Sequence, residues 1–503
     1  MESADSTPRH TVTTIDPRLR PARWQPSFLH WHGTDISWWQ SWKHALRVVP
    51  RMRDHTFVQY ATDLPGQDGV LVARIPFLKY VVVRSPELAR QVLVTNQDNY
   101  RKSAEYDMLA VAFGRGLVTA LDDDRWQRNR RLVQPVFGRR NIDKFAGPMT
   151  EAAGDAVDRI ARLAGDGAPV DINYEMNRLT LDIIARTMFG TDLAGPMSQV
   201  RLSELLRFFG FGFITNVSRP LRALSTLAGE NSRLAMRVMR TGGWLIAPRT
   251  MRDLRHVERV VDQLIADHRA GTITRKDNLL ALLMDAEDPE TGYRYTDREI
   301  HDELMTFIGA GMETTASALA WAWKLLAEHP EVRARMYREL DEVLGGRAPT
   351  AADVENLPWT KAFVDETMRV YPPVMGLTRA AKGADVLGGY PIKPGTTVIV
   401  IVHGLHHNGR IWDRPEVFDP ARYLPENLRP AQRQSSLAFG AGKRMCIASV
   451  FAKTEAVLAL ATMAQRVELN PVGAGPVRPP ISFTGGPDGP IWMRPVFRAR
   501  IDR

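Results

Sequence analysis

The feature that most restricts the fold of this 503-residue chain is one long, unbroken helical pattern. Thr296-Asp297-Arg298-Glu299 has the form of a capping box, in which the Thr and Glu side chains satisfy two orphan amides at a helix start. No proline follows until Pro330, so the helix is predicted to run to about Glu328. Such a helix is roughly 48 Å long at about 1.5 Å per residue, enough to cross a whole domain. Its centre reads Ala310-Gly311-Met312-Glu313-Thr314-Thr315. Ala310 and Thr314 share a face, with Gly311 beside them, and small residues keep that face flat enough for a planar ligand. Thr314 is placed to bond the carbonyl of Ala310 and bend the helix. Taken alone, this is an ordinary core helix with a self-satisfied Thr and a solvent-facing Glu. Beside a reactive centre, Glu313 and Thr314 would instead be an acid and a hydroxyl that deliver protons.

The rest of the chain builds around that helix. Short β-branched runs at Val70–Ile75 and 80–83 flank Pro76 and predict strands. Helical patterns dominate from about 86 to 370. The run 398–402 follows Pro394-Gly395 and predicts a buried strand. A further helix is expected from Ala448 to about Gln465, then a Pro- and Gly-rich tail of turns and short strands. No repeat, low-complexity block or linker divides the pattern. The expected fold is therefore one large domain, mainly α with small β-sheets (α+β), over residues 31–503, after a flexible polar segment at 1–30. Trp31, Trp38, Trp39 and Trp42 alternate with Lys43, His44, Arg47 and Arg51. They are expected to pack on the domain, with peripheral membrane contact as the alternative.

Composition narrows the function. No signal sequence and no transmembrane anchor is evident, so a cytoplasmic location is expected. The net charge of +9 could serve a nucleic acid, a membrane surface or an acidic protein. No zinc-finger spacing, RNP-like motif or basic tail is present, so nucleic acid is not an expected partner. No Walker loop or Gly-x-Ser-x-Gly elbow occurs, and Gly440-x-Gly442 is too short for a dinucleotide fingerprint. His403, His406 and His407 lack the paired Glu of a zinc protease and read as structural or surface residues.

The single cysteine lies in Phe439-Gly440-Ala441-Gly442-Lys443-Arg444-Met445-Cys446. It rules out an intramolecular disulfide framework. One thiolate cannot build a zinc or iron–sulfur site, but it suffices as the axial ligand of a haem iron. A following helix and two neighbouring cations favour the thiolate. The plainer reading is a buried structural cysteine. Other polar anchors are equally ambiguous singly. Glu366 and Arg369, at i and i+3, would be worth about 0.2–0.5 kcal/mol on an exposed helix. Arg422 in Phe418-Asp419-Pro420-Ala421-Arg422 could complete a buried network. Trp126 and Arg130 put two donors on one helix face, suited to a carboxylate or phosphate.

Together these motifs resemble the cytochrome P-450 family of haem-thiolate monooxygenases, in the family's order and over about residues 50 to 500. The matching positions are Trp126 and Arg130, Ala310 to Thr315, Glu366 and Arg369, Pro420 and Arg422, and Phe439, Gly442, Arg444 and Cys446. The resemblance implies haem b with Cys446 as iron ligand. It implies that Arg444, Trp126, Arg130 and Arg379 hold the propionates, with Phe439 and Ala310 against the haem. Glu366, Arg369 and Arg422 would support the cysteine loop, and Thr314 and Glu313 would supply protons during oxygen activation. Ala448 departs from the family's usual Gly, a change between small residues expected to preserve packing.

The implied activity is insertion of one oxygen atom from O2 into a hydrophobic substrate such as a fatty acid, terpene or sterol. Apolar segments at 108–113, 205–214, 306–310, 374–377 and 483–486 are expected near the pocket. No fused flavin reductase is recognisable, so a separate ferredoxin- or flavodoxin-type donor and its reductase are expected. Arg128, Arg131, Arg139, Arg140, Arg433 and Lys443 are candidates for docking that donor. The alternatives are a haem-thiolate isomerase or dehydratase, or a non-catalytic haem carrier or sensor. The Glu313-Thr314 pair argues against both, since neither needs a proton relay.

Overall fold

The structure is a computed structural model that describes residues 29–31, 70–75, 78–103, 106–121, 123–165, 167–190, 240–241, 244, 248–272, 278–473, 477 and 484–498. Trp38, Trp39, Trp42 and the segment 205–214 lie outside the described residues. The long helix spans Asp297–Glu328, with the expected capping box formed by Thr296 and Glu299. Ile172–Ile184 packs along it, and Thr180 donates from there to the Met312 carbonyl at 3.1 Å. Arg139–Ala164 and Ser449–Ala464 form a second packed pair. Their apolar faces merge into one core with the long helix.

The larger sheet runs, in spatial order, Leu29–Trp31, Val70–Ile75, Leu78–Val83, Thr397–Ile401, Gly376–Ala381 and Tyr100–Arg101. Thr397–Ile401 is buried on both faces, which is why it reads as a continuous apolar run. It ends one residue earlier than expected, because Val402 starts a short helix, Val402–His406. Leu29–Trp31 pairs with Val70–Ile75, so the domain boundary expected at residue 30 falls inside a strand. A smaller sheet joins Val467–Pro471, Trp492–Phe497 and Val170–Asp171.

The pair Glu366 and Arg369, on the helix Pro358–Val370, is fully buried, which overturns its exposed-helix reading. Arg369 binds Glu366 through two bonds, Nε at 2.7 Å and Nη2 at 2.8 Å. It also donates to the carbonyls of His406, Pro415 and Val417. Glu366 accepts from the Asp419 amide at 2.9 Å and lies 3.5 Å from Arg422 Nε. Arg422 donates to the Asp413 and Arg414 carbonyls. Arg414 is held there with φ of 46°, the sole positive φ at a non-glycine among the described residues.

His406 carries this network to the cysteine loop. Its Nδ1 lies 3.2 Å from the Arg369 carbonyl, and its Nε2 accepts the Leu437 amide at 2.9 Å. The pattern requires the Nδ1–H tautomer. Burial, then the Arg369 charge, lowers the His406 pKa to about 3 and keeps the ring neutral. The three histidines are therefore structural, as expected, but His406 is an interior bridge and not a surface group.

Removing one partner of a buried pair leaves an uncompensated charge, at a cost of about 3–5 kcal/mol. Arg369→Met should therefore lower the unfolding free energy measured by chemical denaturation by that much or abolish soluble expression. A loss near the roughly 0.5 kcal/mol of an exposed pair would refute the buried role.

Candidate active site

The cysteine loop is fixed by its own backbone before any ligand is considered. Gly442 has φ of 69°, and a Cβ there would lie 1.8 Å from the Leu93 carbonyl oxygen, so only glycine fits. The Cys446 amide donates to the Phe439 carbonyl at 2.9 Å, and the Met445 amide to the Gly442 carbonyl at 3.0 Å. Ala448 caps the helix Ser449–Ala464 with φ of −94°, a conformation that admits a β-carbon. Its amide bonds the Cys446 sulfur.

Cys446 is exposed, yet burial is the main influence on its thiol and pushes the pKa up. The Ala448 amide, Arg130 and Lys102 pull the other way. Both facts hold together if the sulfur opens onto a space enclosed by protein. The long helix has a matching surface. From Ile300 to Trp323 every residue is buried except Ala310, Gly311 and Thr314. These are the three residues expected to form a flat face. Thr314 Oγ1 donates to the Ala310 carbonyl at 2.6 Å, as expected. Next to it, Thr315 bonds Glu455 of the cysteine helix, whose carboxyl burial raises well above the ordinary range.

Cations gather at this space. Arg379 is buried, donates to the Thr378 carbonyl at 2.9 Å and bonds Tyr106. Arg444 lies 4.0 Å from the Trp126 ring and donates to the Ala120 carbonyl at 3.0 Å. Lys102, which no sequence pattern marks, donates to the Val118 carbonyl and sits 4.3 Å above the Tyr106 ring. Its ammonium pKa is pushed well down, first by burial and then by Arg444 and Arg379. Cations this close repel one another unless an anion lies among them. Arg130 lies 5.5 Å from the same Trp126 ring and donates to the Met445 carbonyl at 2.9 Å, beside Cys446. Phe439 is half-buried under Lys453.

Glu313 is buried on the same helix, and its Oε1 accepts the Thr484 hydroxyl at 2.9 Å. It is therefore not the solvent-facing Glu of the plainer reading. A second buried acid, Glu303, holds the loop 114–121. It accepts the Leu117 amide at 3.0 Å, the Asn129 amide group at 3.2 Å and the Tyr295 hydroxyl at 3.3 Å. That loop also supplies the carbonyls of Val118 and Ala120 to Lys102 and Arg444. Glu303 was not marked by any motif. Its signal in the sequence is only a carboxylate one helical turn after Glu299.

A sequence profile of the family described as Cytochrome P-450 matches residues 68–485. This chain belongs to the cytochrome P-450 family. It is 34% identical over 475 residues to "Cyclooctatin synthase" of Streptomyces melanosporofaciens, covering 93% of this chain and 97% of that one. It is 32% identical over 424 residues to "Pentalenene oxygenase" of Streptomyces avermitilis, covering 84% and 89%. The crystal structure of the cytochrome P-450DA heme domain superposes with a TM-score of 0.75 at 29% identity, covering 88% of this chain and 92% of that one.

The chain is thus a P-450 monooxygenase that uses haem b. The residues present fit that group. A single accessible thiol faces the interior, a flat helical face suits a planar ring, and buried cations suit two propionates. Among the described residues, no helix is long and apolar enough to cross a membrane.

The Glu303 pKa is raised from 4.5 to about 7, chiefly by burial. The folded P-450 therefore keeps a proton that the unfolded chain has lost between those values. Stability should fall as pH rises through that window and level off above it, by about 3 kcal/mol in total. Glu303→Gln should flatten this part of a thermal-melt profile against pH. A profile parallel to the parent's would refute the assignment.

Proposed function

We propose that this P-450 inserts one oxygen atom from O2 into a cyclic terpene, with electrons from a separate ferredoxin- or flavodoxin-type donor and its reductase. The observation that carries the reading is the accessible Cys446 sulfur beside Arg130 and Lys102, with Arg379 and Arg444 close to Lys102. Bound haem supplies activation of O2, which an electron-donating thiolate favours. The chain's own residues do the rest. Cys446 ligates the iron. Arg379, Arg444, Trp126, Arg130 and also Lys102 hold the propionates, and Arg130 braces the loop as well. Phe439 and Ala310 pack against the ring, and the Glu366–Arg369–Arg422 network keeps the loop in place. Thr314, half-exposed, and Glu313, buried beside it, carry protons to the reacting oxygen.

Among fatty acids, terpenes and sterols, the relatives favour terpenes. One is named "Pentalenene oxygenase" and another "Cyclooctat-9-en-7-ol 5-monooxygenase". The apolar helix Tyr106–Phe113 supports a pocket wall there, since the Phe113 ring lies against Gly309 of the long helix. A cytoplasmic setting agrees with a free thiol. Reduced protein with carbon monoxide should show the long-wavelength band of thiolate ligation, and Cys446→Ser should lose it. Pentalenene should shift the haem absorption at concentrations where dodecanoic acid and cholesterol do not. A histidine-type band, or a response to dodecanoic acid alone, would overturn the corresponding part.

The donor docks on the outer side of the cysteine loop. A groove of about 1040 Å³ lies there, lined by Arg433, Met445 and Lys453. Met445 and Val450 are exposed large apolar residues. Arg139, Arg140 and Arg433 are exposed cations. Arg139 lies 4.0 Å from Glu355, whereas Arg128 and Arg131 are held in closer pairs with Glu299 and Asp288, and Lys443 pairs with Asp98. Reversing Arg139 and Arg433 to Glu should slow reduction by an acidic ferredoxin about tenfold and flatten its salt dependence. Unchanged rates would remove them from the docking face.

A further inference from the structure

The C-terminal segment reaches the relay acid, and its contact is a built one. Glu313, Ser317 and Trp321 lie at i, i+4 and i+8 of the long helix, so they form one stripe. The segment 484–486 lies along that stripe. The Trp321 indole N–H donates to the Gly485 carbonyl at 2.7 Å. Gly485 donates its amide to the Pro373 carbonyl at 2.9 Å, and Thr484 bridges to Val374. A Cβ on Gly485 would fall 2.3 Å from the Pro372 carbonyl oxygen, so the approach is as close as glycine permits. The Trp321 ring is itself stacked on Tyr371, with centroids 4.0 Å apart. These contacts leave Thr484 little freedom. Its hydroxyl, buried like its partner, donates to Glu313 Oε1 at 2.9 Å.

We propose that Thr484 is the positioning residue for the Glu313 carboxyl, holding it at the edge of the Ala310–Thr314 face from which it serves Thr314. The proposal rests on the relay reading of Glu313. A hydroxyl suits this task because it both donates and accepts. It donates to the ionised carboxylate. When Glu313 is protonated, the carboxyl O–H donates back to Thr484 Oγ1, so the contact survives both states of a relay. A valine has the same shape and can do neither, so Glu313 would turn toward other partners. The same segment also adjoins the stretch 373–375, which borders the expected pocket. Thr484 therefore couples the pocket wall to the relay.

The experiment uses the haem-loaded protein with a ferredoxin and its reductase, and measures hydrogen peroxide released per NADPH consumed. Peroxide takes two electrons and two protons from the system, and its share grows when the relay fails to deliver protons to the reacting oxygen. Thr484→Val should raise that share about threefold, and Thr484→Ser should restore the parent value. In a double-mutant cycle, Thr484→Val should add nothing to Glu313→Gln, because both act through one carboxyl. Thr484→Ala serves if the valine variant fails to show the thiolate band with carbon monoxide. Additive effects, a parent-like Thr484→Val, or failure of Ser to rescue would overturn the positioning role. A parent-like Glu313→Gln would instead sink the relay reading itself, and the proposal with it.

Discussion

The cysteine loop contains almost nothing that could hold it in place by its own packing. Its turn, Gly442–Arg444, has no buried residue. Besides the contacts of Gln97, Ala120 and Arg130, it is linked to a buried ion pair some distance away in sequence, Glu366 with Arg369. Arg369 spends its remaining donors on three carbonyls of the segment 406–417, and Glu366 takes the Asp419 amide. Such a pair is expensive to desolvate and is tolerated because nearly every donor and acceptor is used. His406 then passes the constraint to Leu437, two residues before Phe439. Phe439 accepts the Cys446 amide. A run of hydrogen bonds and short backbone links thus connects the ion pair to the Cys446 amide.

The long helix follows a different logic. It is buried along its middle, and that burial lapses at Ala310, Gly311 and Thr314, the face proposed for the haem and the relay. Small side chains leave room there, and the Thr314 hydroxyl is satisfied by its own helix. The buried acids divide the remaining work. Glu303 fastens the loop 114–121, whose carbonyls engage Lys102 and Arg444. Glu313 faces Thr484. Glu455 joins the cysteine helix to Thr315. Carboxyls on or against one helix thereby tie together the segments that surround the haem site.

Much of this was legible in the chain. The capping box placed the start of the long helix, and Pro330 placed its end. The β-branched runs predicted Val70–Ile75 and most of Leu78–Val83 and Thr397–Ile401. Cys446, Arg444, Trp126, Thr314 and Glu366 stand out in the sequence because their spacing suggests chemistry. Lys102, Tyr106 and Thr484 were missed for a common reason. Each matters through a partner far along the chain, and no local pattern distinguishes it. The exposed reading of Glu366 and Arg369 failed likewise, since an i, i+3 pair looks the same on a surface and in a core.

The sequence by itself determined the elements and the reactive groups: one long helix with a flat centre, one thiol behind a glycine turn, an acid beside a hydroxyl. These are local properties, set by backbone sterics, capping and side-chain chemistry within a few residues. Only the tertiary structure decided the electrostatics. It buried Glu366 with Arg369, crowded Lys102 against Arg379 and Arg444, and set Thr484 on Glu313. Desolvation and charge proximity depend on which distant segments meet, and that is decided by packing across the whole core.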